Sequence, residues 1–583
     1  MKKRVIALLL TLVCGMTALS GCGAGKADPS GAQAAGGSGS AGTETGTQEG
    51  GQAAADDLSQ ARTITAWLYP DDYKYYSSYN ENPVVQYLNE KFNCTLEFQQ
   101  PPMGSEQDQF NLMLGTGEYT DIFEISYSQD TTAVLFEDGI IRDLAPYLES
   151  YMPNFYKFIH EPENEDVYKA LYDEDGHLFT IPSDVKDDKV ITWGGLVYRR
   201  DILETMTGGN VSFPSGKEDP ETVEDWEYML GLMKQYFEAA GITDYACLII
   251  PSNGYFQTGE LVNGFGAAGT YYVVDDKVLY GPTTQEFYHY LVKMHEWYEN
   301  GWIYQDFASR TNDLFYLPNT SLTYGGAAGA WFGMSSQLEG QMSMPEYNLI
   351  MDVRGTAAPL DTANGQDGSK SGSLTLIGDR ANSNSGGWVV SSLCSEENMI
   401  RFLTVADFLF TEEGAMLKGY GLDAEHGAAD NPVYQANNIT EGSYYFDESG
   451  HFRWHDLLDS QKTEEALDNG SLKGMRLPGL SLNSYENSVA ADYTVAADAE
   501  WQKYGTGNNF PSSAVATAQE SSTLTSAYTN YTDYLDTMVP KFIMGTEELN
   551  EDTFATFVDQ MNSLGVEECT RIQQEIYDRY NNK

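Results

Sequence analysis

Residues 64–68 (ITAWL), 83–92 (PVVQYLNEKF), 95–98 (TLEF) and 121–125 (DIFEI) decide the fold of this chain. Apolar residues alternate or run together in the first, third and fourth stretches, as in strands, whereas in the second they recur at helical spacing behind a proline. A further helical pattern ends near Gly115, so the order is strand, helix, strand, helix, strand. This order predicts an α/β fold with a mostly parallel sheet and helices on both faces.

The loops after the first and third of these strands are the expected ligand-facing segments. In open α/β sheets, ligands bind beyond the carboxyl ends of the strands, near the point where the strand order reverses. The loops in question follow Leu68 and Ile125.

Helical patterns continue through the rest of the chain. Thr222, Ser395 and Asn550 are placed to cap helices, and Thr283 with Glu286 forms a capping box before another. Their apolar stripes indicate core packing rather than binding sites. The body from residue 63 to 583 is long enough for two lobes with separate cores.

The N-terminus resembles a bacterial lipoprotein signal. Lys2, Lys3 and Arg4 precede an apolar run that is too short for a bilayer crossing, which needs about 20 residues. Leu19-Ser20-Gly21-Cys22 then resembles a lipobox, although a chance cysteine behind an ordinary signal peptide is the alternative. We expect residues 1–21 to be removed and Cys22 to carry two or three acyl chains, which anchor a protein stably.

The segment from Cys22 to about residue 62 is predicted to be a disordered tether. Gly, Ala, Ser, Thr, Gln, Asp and Glu make up almost all of it, and it contains no aromatic residue. Such a composition cannot bury enough apolar surface to offset its ordering entropy. The tether would place a globular body just outside the cell membrane, on its extracytoplasmic face.

Charge excludes one class of partner. The chain has 86 acidic and 33 basic residues and a formal net charge of −53. Nucleic-acid binding depends on Lys and Arg that neutralise phosphates, so this class is excluded. The same field weighs mildly against a polyanionic ligand.

Motifs for catalysis and metal binding are missing or weak. The sequence has no HExxH, GxSxG or P-loop, and the four cysteines of the body read as buried free thiols. His451 and His455 are four residues apart but stand in a turn and strand pattern. Residues 264–269 match GxGxxG, yet a strand follows where that motif needs a helix. The acidic pairs of the chain could serve a glycosidase, but Asp275-Asp276 is typical of a hairpin turn.

The body resembles the extracellular solute-binding proteins of family 1, the group that includes maltose-binding protein, and above all its larger lipoprotein members. The resemblance rests on the order of several short stretches, each weak alone: Tyr119–Phe123, Gly139–Leu144, Leu196–Leu203, Tyr298–Ile303, Thr411–Gly414, and the tail from Lys541 to Tyr580. It implies a type II periplasmic-binding-protein-like fold, with a ligand cleft between two lobes that close about hinge strands. We place lobe 1 at 63–186 with 349–415, and lobe 2 at 187–348 with 416–583.

The resemblance also implies ligand-binding residues, because sugars stack on flat aromatic rings while carboxylates and amides hold their hydroxyls. For each aromatic candidate the alternative is core packing. The candidates are Tyr69, Asp71, Asp72, Tyr127, Trp193, Tyr255, Phe256, Trp331, Trp388 and Tyr485. Some relatives carry a calcium loop before the helix that Thr222 caps, but residues 217–225 lack its spacing, so we expect no metal and no cofactor.

The predicted function is therefore that of a monomeric, non-enzymatic receptor of an ABC importer. It would capture a neutral oligosaccharide and deliver it to permease and ATPase subunits. A receptor for peptides or other small organic solutes is the alternative within the same class. A lipid-anchored glycosidase and a passive adhesin are alternatives from other classes.

Overall fold

The computed structural model describes residues 56–582 apart from 188–193, 251–260, 310–319, 324, 335–342, 345–348, 370–379, 382–385, 460–461, 464, 483–484, 486–491, 504–507 and 512. The predicted signal peptide, Cys22 and most of the predicted tether lie outside the described residues, as do Trp193, Tyr255 and Phe256. In the described part of the chain, no helix is both long enough and apolar enough to cross a bilayer.

Sixteen strands are present among the described residues. In chain order they are β1 Arg62–Trp67, β2 Cys94–Gln99, β3 Ile122–Glu124, β4 Val185–Lys186, β5 Gly194–Arg199, β6 Ala246–Leu248, β7 Tyr271–Val274, β8 Lys277–Tyr280, β9 Ala328–Met334, β10 Ser343–Met344, β11 Leu349–Ile350, β12 Val353–Gly355, β13 Trp388–Val390, β14 Tyr444–Phe446, β15 Phe452–Trp454 and β16 Leu480–Ser481.

The helices lie between and after these strands. Their bounds are Pro83–Lys91, Glu106–Thr116, Thr132–Glu137, Ala145–Tyr151, Pro153–Ile159, Glu165–Leu171, Arg200–Thr207, Val223–Ala239, Gln285–Glu299, Thr320–Thr323, Glu396–Phe408, Glu412–Tyr420, Pro432–Ala436, Asp492–Trp501, Ala518–Ile543, Glu551–Ser563 and Val566–Asn581.

The first sheet has the strand order β13-β3-β1-β2. Strand β1 runs parallel to β2 and β3, and β13 is antiparallel to β3. The helix between β1 and β2 begins at Pro83, and the Asn82 side chain accepts hydrogen bonds from the next two free backbone amides. The predicted order of strand, helix, strand, helix, strand is confirmed.

The second sheet has the order β12-β5-β9-β6. Only β6 and β9 are parallel, while β5 is antiparallel to both of its neighbours. Helices Val223–Ala239 and Gln285–Glu299 and the three C-terminal helices pack into the core of this sheet. The first sheet has its own core, to which helix Glu396–Phe408 contributes. The structure thus contains two α/β lobes.

The described residues that flank 188–193, 370–379 and 486–491 belong to different lobes, and their lobe 1 ends lie side by side. At the lobe 1 side, β4 pairs in parallel with β16, and the Lys186 amide donates to the Arg380 carbonyl over 3.0 Å. We call residues 182–187, 380–381 and 478–482 the hinge bundle.

Packing corrects the predicted lobe boundaries at two places. Strand β12 pairs with β5, so the residues around 353–355 belong to lobe 2. Leu417, Leu472 and Leu477 are buried in the core of the first sheet, so the chain from 416 to about 482 belongs to lobe 1. The physical reason is that these segments lie far in sequence from the strands that they cover, which leaves no local signal.

Several local predictions are confirmed, and one is shifted by a residue. Thr222, Ser395 and Asn550 cap their helices as expected. Thr284 rather than Thr283 caps helix Gln285–Glu299. A strand follows the GxGxxG match, and Asp275 forms the turn between β7 and β8 with a φ of 51°. Among the described cysteines, Cys94, Cys247, Cys394 and Cys569 are free and buried.

The folded body begins earlier than predicted, because Asp56 is already bound to it. The Arg401 side chain is fully buried and donates to the Asp56 carboxylate and to the carbonyl groups of Phe92, Asp57 and Gln60. An arginine with its donors satisfied in this way can be buried, because each N–H group has an acceptor.

Candidate functional site

A polar and aromatic cluster lies at the carboxyl edge of the first sheet, where the sequence predicted a ligand. Tyr69 and Asp71 follow β1, and Arg476 contacts them from a segment of lobe 1 that comes much later in the chain. The guanidinium carbon of Arg476 lies 4.5 Å from the centroid of the Tyr69 ring. One of its nitrogens donates to the Tyr69 hydroxyl, and Nη2 donates to Asp71 Oδ2 over 2.5 Å.

Buried groups fix the position of Arg476. The Trp388 indole Nε1 donates to the Arg476 carbonyl over 2.8 Å, and the Arg476 amide donates to the Tyr79 hydroxyl over 3.3 Å. Trp388 is 1% exposed and begins β13. The tryptophan thus lies beneath the cluster and supports it, and ligand contact by Trp388 stays a prediction.

Tyr127 extends the cluster toward the loop after β3. Its ring centroid lies 5.5 Å from that of Tyr69 and 6.2 Å from that of Trp67. Gln107 Nε2 donates to the Tyr127 carbonyl over 2.8 Å, which holds the loop against the second helix. Tyr69 and Tyr127 are both half-buried, so each ring combines packed and accessible surface. Of the predicted residues, the structure therefore brings Tyr69, Asp71 and Tyr127 together.

Glu124, at the end of β3, is a buried carboxylate within this cluster. It is 3% exposed and accepts hydrogen bonds from the Ser126 amide, the Ser126 hydroxyl and the Gly387 amide over 2.7–3.0 Å. Burial raises the pKa of Glu124, while these donors and the charge of Arg476 act in the opposite direction. Gly387 is required here, because its φ is 156° and a Cβ atom would lie 2.4 Å from the Thr180 methyl group.

The tyrosines of the loop after β1 remain hydroxyl donors and acceptors at neutral pH. Burial raises the pKa of Tyr69 and of Tyr73 to about 12. Gln100 Nε2 donates to the Tyr73 hydroxyl over 2.9 Å and to the Tyr69 carbonyl over 3.3 Å, which orders the loop. Hydroxyl groups next to flat rings suit a ligand that has both hydroxyls and C–H faces.

The two carboxylates of the cluster are engaged by the protein itself. Asp71 accepts from Arg476 and from the Asp72 amide, and Glu124 accepts from three donors. A hydrolytic pair needs one carboxyl group free to donate a proton to the substrate and a second to attack or to activate water. The arrangement therefore favours binding over acid–base chemistry.

Trp331 does not lie at a sheet edge. Strand β9 continues from Ala328 to Met334, so Trp331 is in mid-strand rather than at a strand end. It is 0% exposed and packs in an apolar cluster with Val197 and Trp501. This is a core placement, contrary to the expected stacking position. No described group accepts a hydrogen bond from its indole N–H. Ligand contact by Trp331 stays a prediction.

Of the remaining predicted residues, Tyr485 lies apart from the cluster, Asp72 lies at its exposed margin, and three lie outside the described residues. Tyr485 donates to Glu412 over 3.1 Å and contacts aromatic residues of the β14–β15 hairpin, such as Phe446 at 5.8 Å. Asp72 is exposed and lies 3.6 Å from the Lys74 ammonium. The structure describes no contact for Trp193, Tyr255 or Phe256.

In residues 217–225, the position of the calcium loop in some relatives, backbone amides donate to the Asp225 carboxylate. Asp225 is buried, and its carboxylate accepts from the backbone amides of Ser215, Glu221 and Thr222 over 2.8–3.0 Å. The donors come from the protein, so this carboxylate does not fit the role of a metal ligand. Among the residues that the structure describes, no cluster of His, Cys, Asp and Glu could hold a metal.

A cavity of about 530 Å³ lies elsewhere, at the C-terminal helix. Its lining is polar: Lys169, Asp276, Tyr577, Asp578, Asn581 and Asn582. It shares no residue with the cluster at the first sheet. The chemistry described above, rather than this hollow, marks the candidate site.

Sequence reasoning missed Glu124 and Arg476 as site residues. Arg476 stands about 400 residues after Tyr69, in a stretch with no periodic pattern, and nothing local distinguishes it from other cations of the chain. The sequence offered one signal: because the chain has few basic residues, an arginine between Met475 and Leu477 is unusual.

Several solved structures of solute-binding proteins share this architecture. An HMO-binding, ABC-transporter-associated solute-binding protein of Bifidobacterium longum infantis is 17% identical, with a TM-score of 0.66 over 90% of this chain and 100% of that one. An alginate-binding protein is 16% identical, with a TM-score of 0.59 over 89% and 99%. The substrate-binding protein FusA of S. pneumoniae, in complex with kestose, is 15% identical, with a TM-score of 0.58 over 89% and 100%.

No family model matches this chain, and no curated protein matches it by sequence. The structural similarity shows the fold: two α/β lobes in the arrangement of the extracellular solute-binding proteins, as the sequence predicted.

Proposed function

We propose that this chain is the extracytoplasmic substrate-binding subunit of an ABC importer and that it captures a neutral oligosaccharide. One observation carries the proposal: at the carboxyl edge of the first sheet, Arg476 is stacked on Tyr69 and paired with Asp71, beside the ring of Tyr127. Stacking rings and fixed polar groups are the two elements that sugar recognition requires.

The charge of the cluster supports a neutral rather than an anionic ligand. Arg476, the one cation described in the cluster, already pairs with Asp71, and Glu124 stands close to it. A carboxylated sugar would need an unpaired cation, and the field of a chain with a net charge of −53 would repel it. Neutral hydroxyl groups can instead donate to Asp71 and accept from Arg476.

The protein acts as a receptor without turnover. The proteins compared above are binding proteins, and the carboxylates of the cluster are already engaged by donors. Ligand would be released unchanged to permease and ATPase subunits after the lobes open. Lobe closure requires only that the ligand make more contacts in the closed state than in the open state.

A thermal-shift screen followed by calorimetry tests this function. The panel contains neutral oligosaccharides, alginate oligosaccharides and short peptides. We expect a neutral oligosaccharide to raise the Tm and to be recovered intact, as shown by mass spectrometry, with a smaller radius of gyration in solution scattering. Stabilisation only by alginate fragments or peptides, or recovery of cleaved sugar, would overturn the proposal.

Attachment through a lipid on Cys22 is the second part of the proposal. It is supported by the lipobox-like sequence Leu19-Ser20-Gly21-Cys22 and by a tether-like segment behind it. The substitution Cys22→Ala should release the protein into the medium as a monomer. If the variant stays with the membrane fraction to the same extent as the wild type, the anchor is elsewhere.

A further inference from the structure

A buried lysine lies directly against the hinge bundle. Lys418 belongs to helix Glu412–Tyr420 of lobe 1, and it is 2% exposed. Lysine is almost never fully buried unless it is paired, because removing an ammonium group from water costs several kcal/mol. An apolar side chain would fill the same space without this cost, so the position calls for a reason.

Lys418 contacts two of the three segments of the hinge bundle. Its Nζ donates to Ser481 Oγ, in β16, over 3.0 Å. The same Nζ lies 3.9 Å from Asp184 Oδ1, in the segment that enters β4. Ser481 Oγ in turn donates to that carboxylate oxygen, so the three side chains form one polar triangle.

The stem of Lys418 also supports the backbone of the hinge bundle. A Cβ atom on Gly479 would stand only 3.0 Å from Lys418 Cδ, so that glycine rests on the lysine side chain. The carbonyl of Lys418 accepts from the Gly474 amide over 2.8 Å, which ties the approach to β16 to the same helix.

Burial lowers the pKa of Lys418. Asp184 opposes this shift, and the charges of Lys473 and Lys186 add to it. One half-exposed carboxylate is therefore the counter-charge for a lysine that faces two further cations. An arrangement that is this unfavourable for stability indicates a gain in geometry instead.

The paired strands need such a support. Strands β4 and β16 have two residues each, and the backbone bonds between these segments are few, including Val185 N to Gly479 O and Asp187 N to Ser481 O at 3.1 Å. Strands this short specify their register weakly. A side chain that donates to Ser481 of β16 and pairs with Asp184, the residue before β4, from one helix restrains the relative position of the two strands.

We propose that Lys418 is a positioning residue that sets the resting geometry of the hinge bundle and thereby the relative orientation of the two lobes. The inference rests on the proposed function only in assigning a use to lobe movement. Its test needs no ligand, so it can fail independently of the oligosaccharide proposal.

The test measures the distance between the lobes by double electron–electron resonance in the full folded body. Spin labels go on Glu149→Cys in lobe 1 and Asp552→Cys in lobe 2, which are both exposed, while the four described native cysteines are buried. The variant is Lys418→Met, which keeps the length and removes the donor. The matched control is Lys91→Met, because Lys91 pairs with Glu413 of the same helix over 2.9 Å without touching the hinge bundle.

We expect Lys418→Met to shift or broaden the distance distribution, and Lys91→Met to leave it as in the wild type. A distribution unchanged by Lys418→Met in a folded protein overturns the proposal. If that variant does not fold, Ser481→Ala replaces it, with Ser481→Thr as the rescue that restores the hydroxyl. An unchanged distribution in Ser481→Ala, or a change that Ser481→Thr does not reverse, equally overturns it.

Discussion

The surroundings of Tyr69, which follows a strand of the lobe 1 sheet, differ from those of Trp331, which lies within a strand of the lobe 2 sheet. Tyr69 is half-buried at a strand end, with a guanidinium on its face and a carboxylate beside it. Trp331 is fully enclosed in mid-strand. The Trp501 side chain covers the same sheet so closely that a Cβ atom on Gly195 would lie 2.4 Å from its ring.

The difference teaches what makes an aromatic side chain available to a ligand. A ring stays accessible when its neighbours are charged or polar groups that need water or a ligand for part of their hydrogen bonding. A ring among apolar neighbours is sealed, whatever its position relative to glycines in the sequence. The site is therefore identified by the polar groups next to a ring and not by the ring itself.

The largest expected effect tests the sealed side of this comparison. Trp331→Ala should lower the free energy of unfolding by about 3–5 kcal/mol, because it empties a fully packed position. Urea denaturation followed by circular dichroism measures the loss, and Trp331→Phe should recover most of it. A loss below about 1 kcal/mol combined with weaker sugar binding would return Trp331 to the site.

The next effect tests the accessible side. Arg476→Met removes a charged donor and leaves Asp71 without its partner, so ligand binding should weaken by about 1.5–3 kcal/mol, or roughly tenfold to a hundredfold. Calorimetry with the sugar found in the screen measures the change, with Lys91→Met as control. Affinity equal to that of the control would move the site away from this edge.

A third effect asks whether charge also matters in lobe 2, away from the ligand. Arg579 donates to both carboxylate oxygens of Glu520 over 2.7–2.8 Å, and this pair lowers the pKa of Glu520 to about 2. A carboxylate whose pKa is lowered in the folded state stabilises the fold at pH values above its ordinary pKa. This contribution to stability is lost as the pH falls toward 2. Arg579→Met should therefore cost about 1–2 kcal/mol at pH 6, after allowance for solvent screening, and almost nothing near pH 2.

Thermal unfolding of Arg579→Met and wild type between pH 2 and pH 6 measures this dependence. A difference in Tm that stays constant over the range would show that Arg579 acts through packing of its stem and not through the ion pair.

The smallest effect concerns the exposed neighbour of the site. Asp72 makes one weak pair, with Lys74 at 3.6 Å, so Asp72→Asn should change the free energy of unfolding by less than about 0.5 kcal/mol. Its effect on sugar affinity is the informative quantity. A loss of affinity without a loss of stability would add Asp72 to the accessible side of the comparison.

The sequence was sufficient for the local architecture. The alternation in residues 64–68 and the caps at Thr222, Ser395 and Asn550 are signals within one element, and each element forms as predicted. The positions of the loops after β1 and β3 follow from strand order alone, so Tyr69 and Tyr127 could be predicted from the sequence.

Contacts between residues far apart in the sequence could not be predicted. Arg476 meets Tyr69 only because residues after 416 pack on the first core, and no periodic pattern encodes that contact. The burial of Trp331 also depends on long-range packing, because Val197 and Trp501 enclose it in mid-strand. Gly329, two residues earlier, is packed so closely that a Cβ atom there would lie 2.5 Å from Met233 Sδ and 2.8 Å from the Cys247 carbonyl oxygen.

The clasp of Arg401 on Asp56 has a mechanical consequence. A force applied to the chain ahead of Asp56 acts first on the ion pair between Asp56 and the buried Arg401, and then on the start of β1. Because β1 lies between two parallel neighbours, such a pull loads their hydrogen bonds in shear, where they share the load, rather than one at a time. The pull enters at the amino end of β1, whereas Tyr69 follows its carboxyl end. Drag on the body would thus be borne by the far side of the sheet and leave the edge with Arg476 undisturbed.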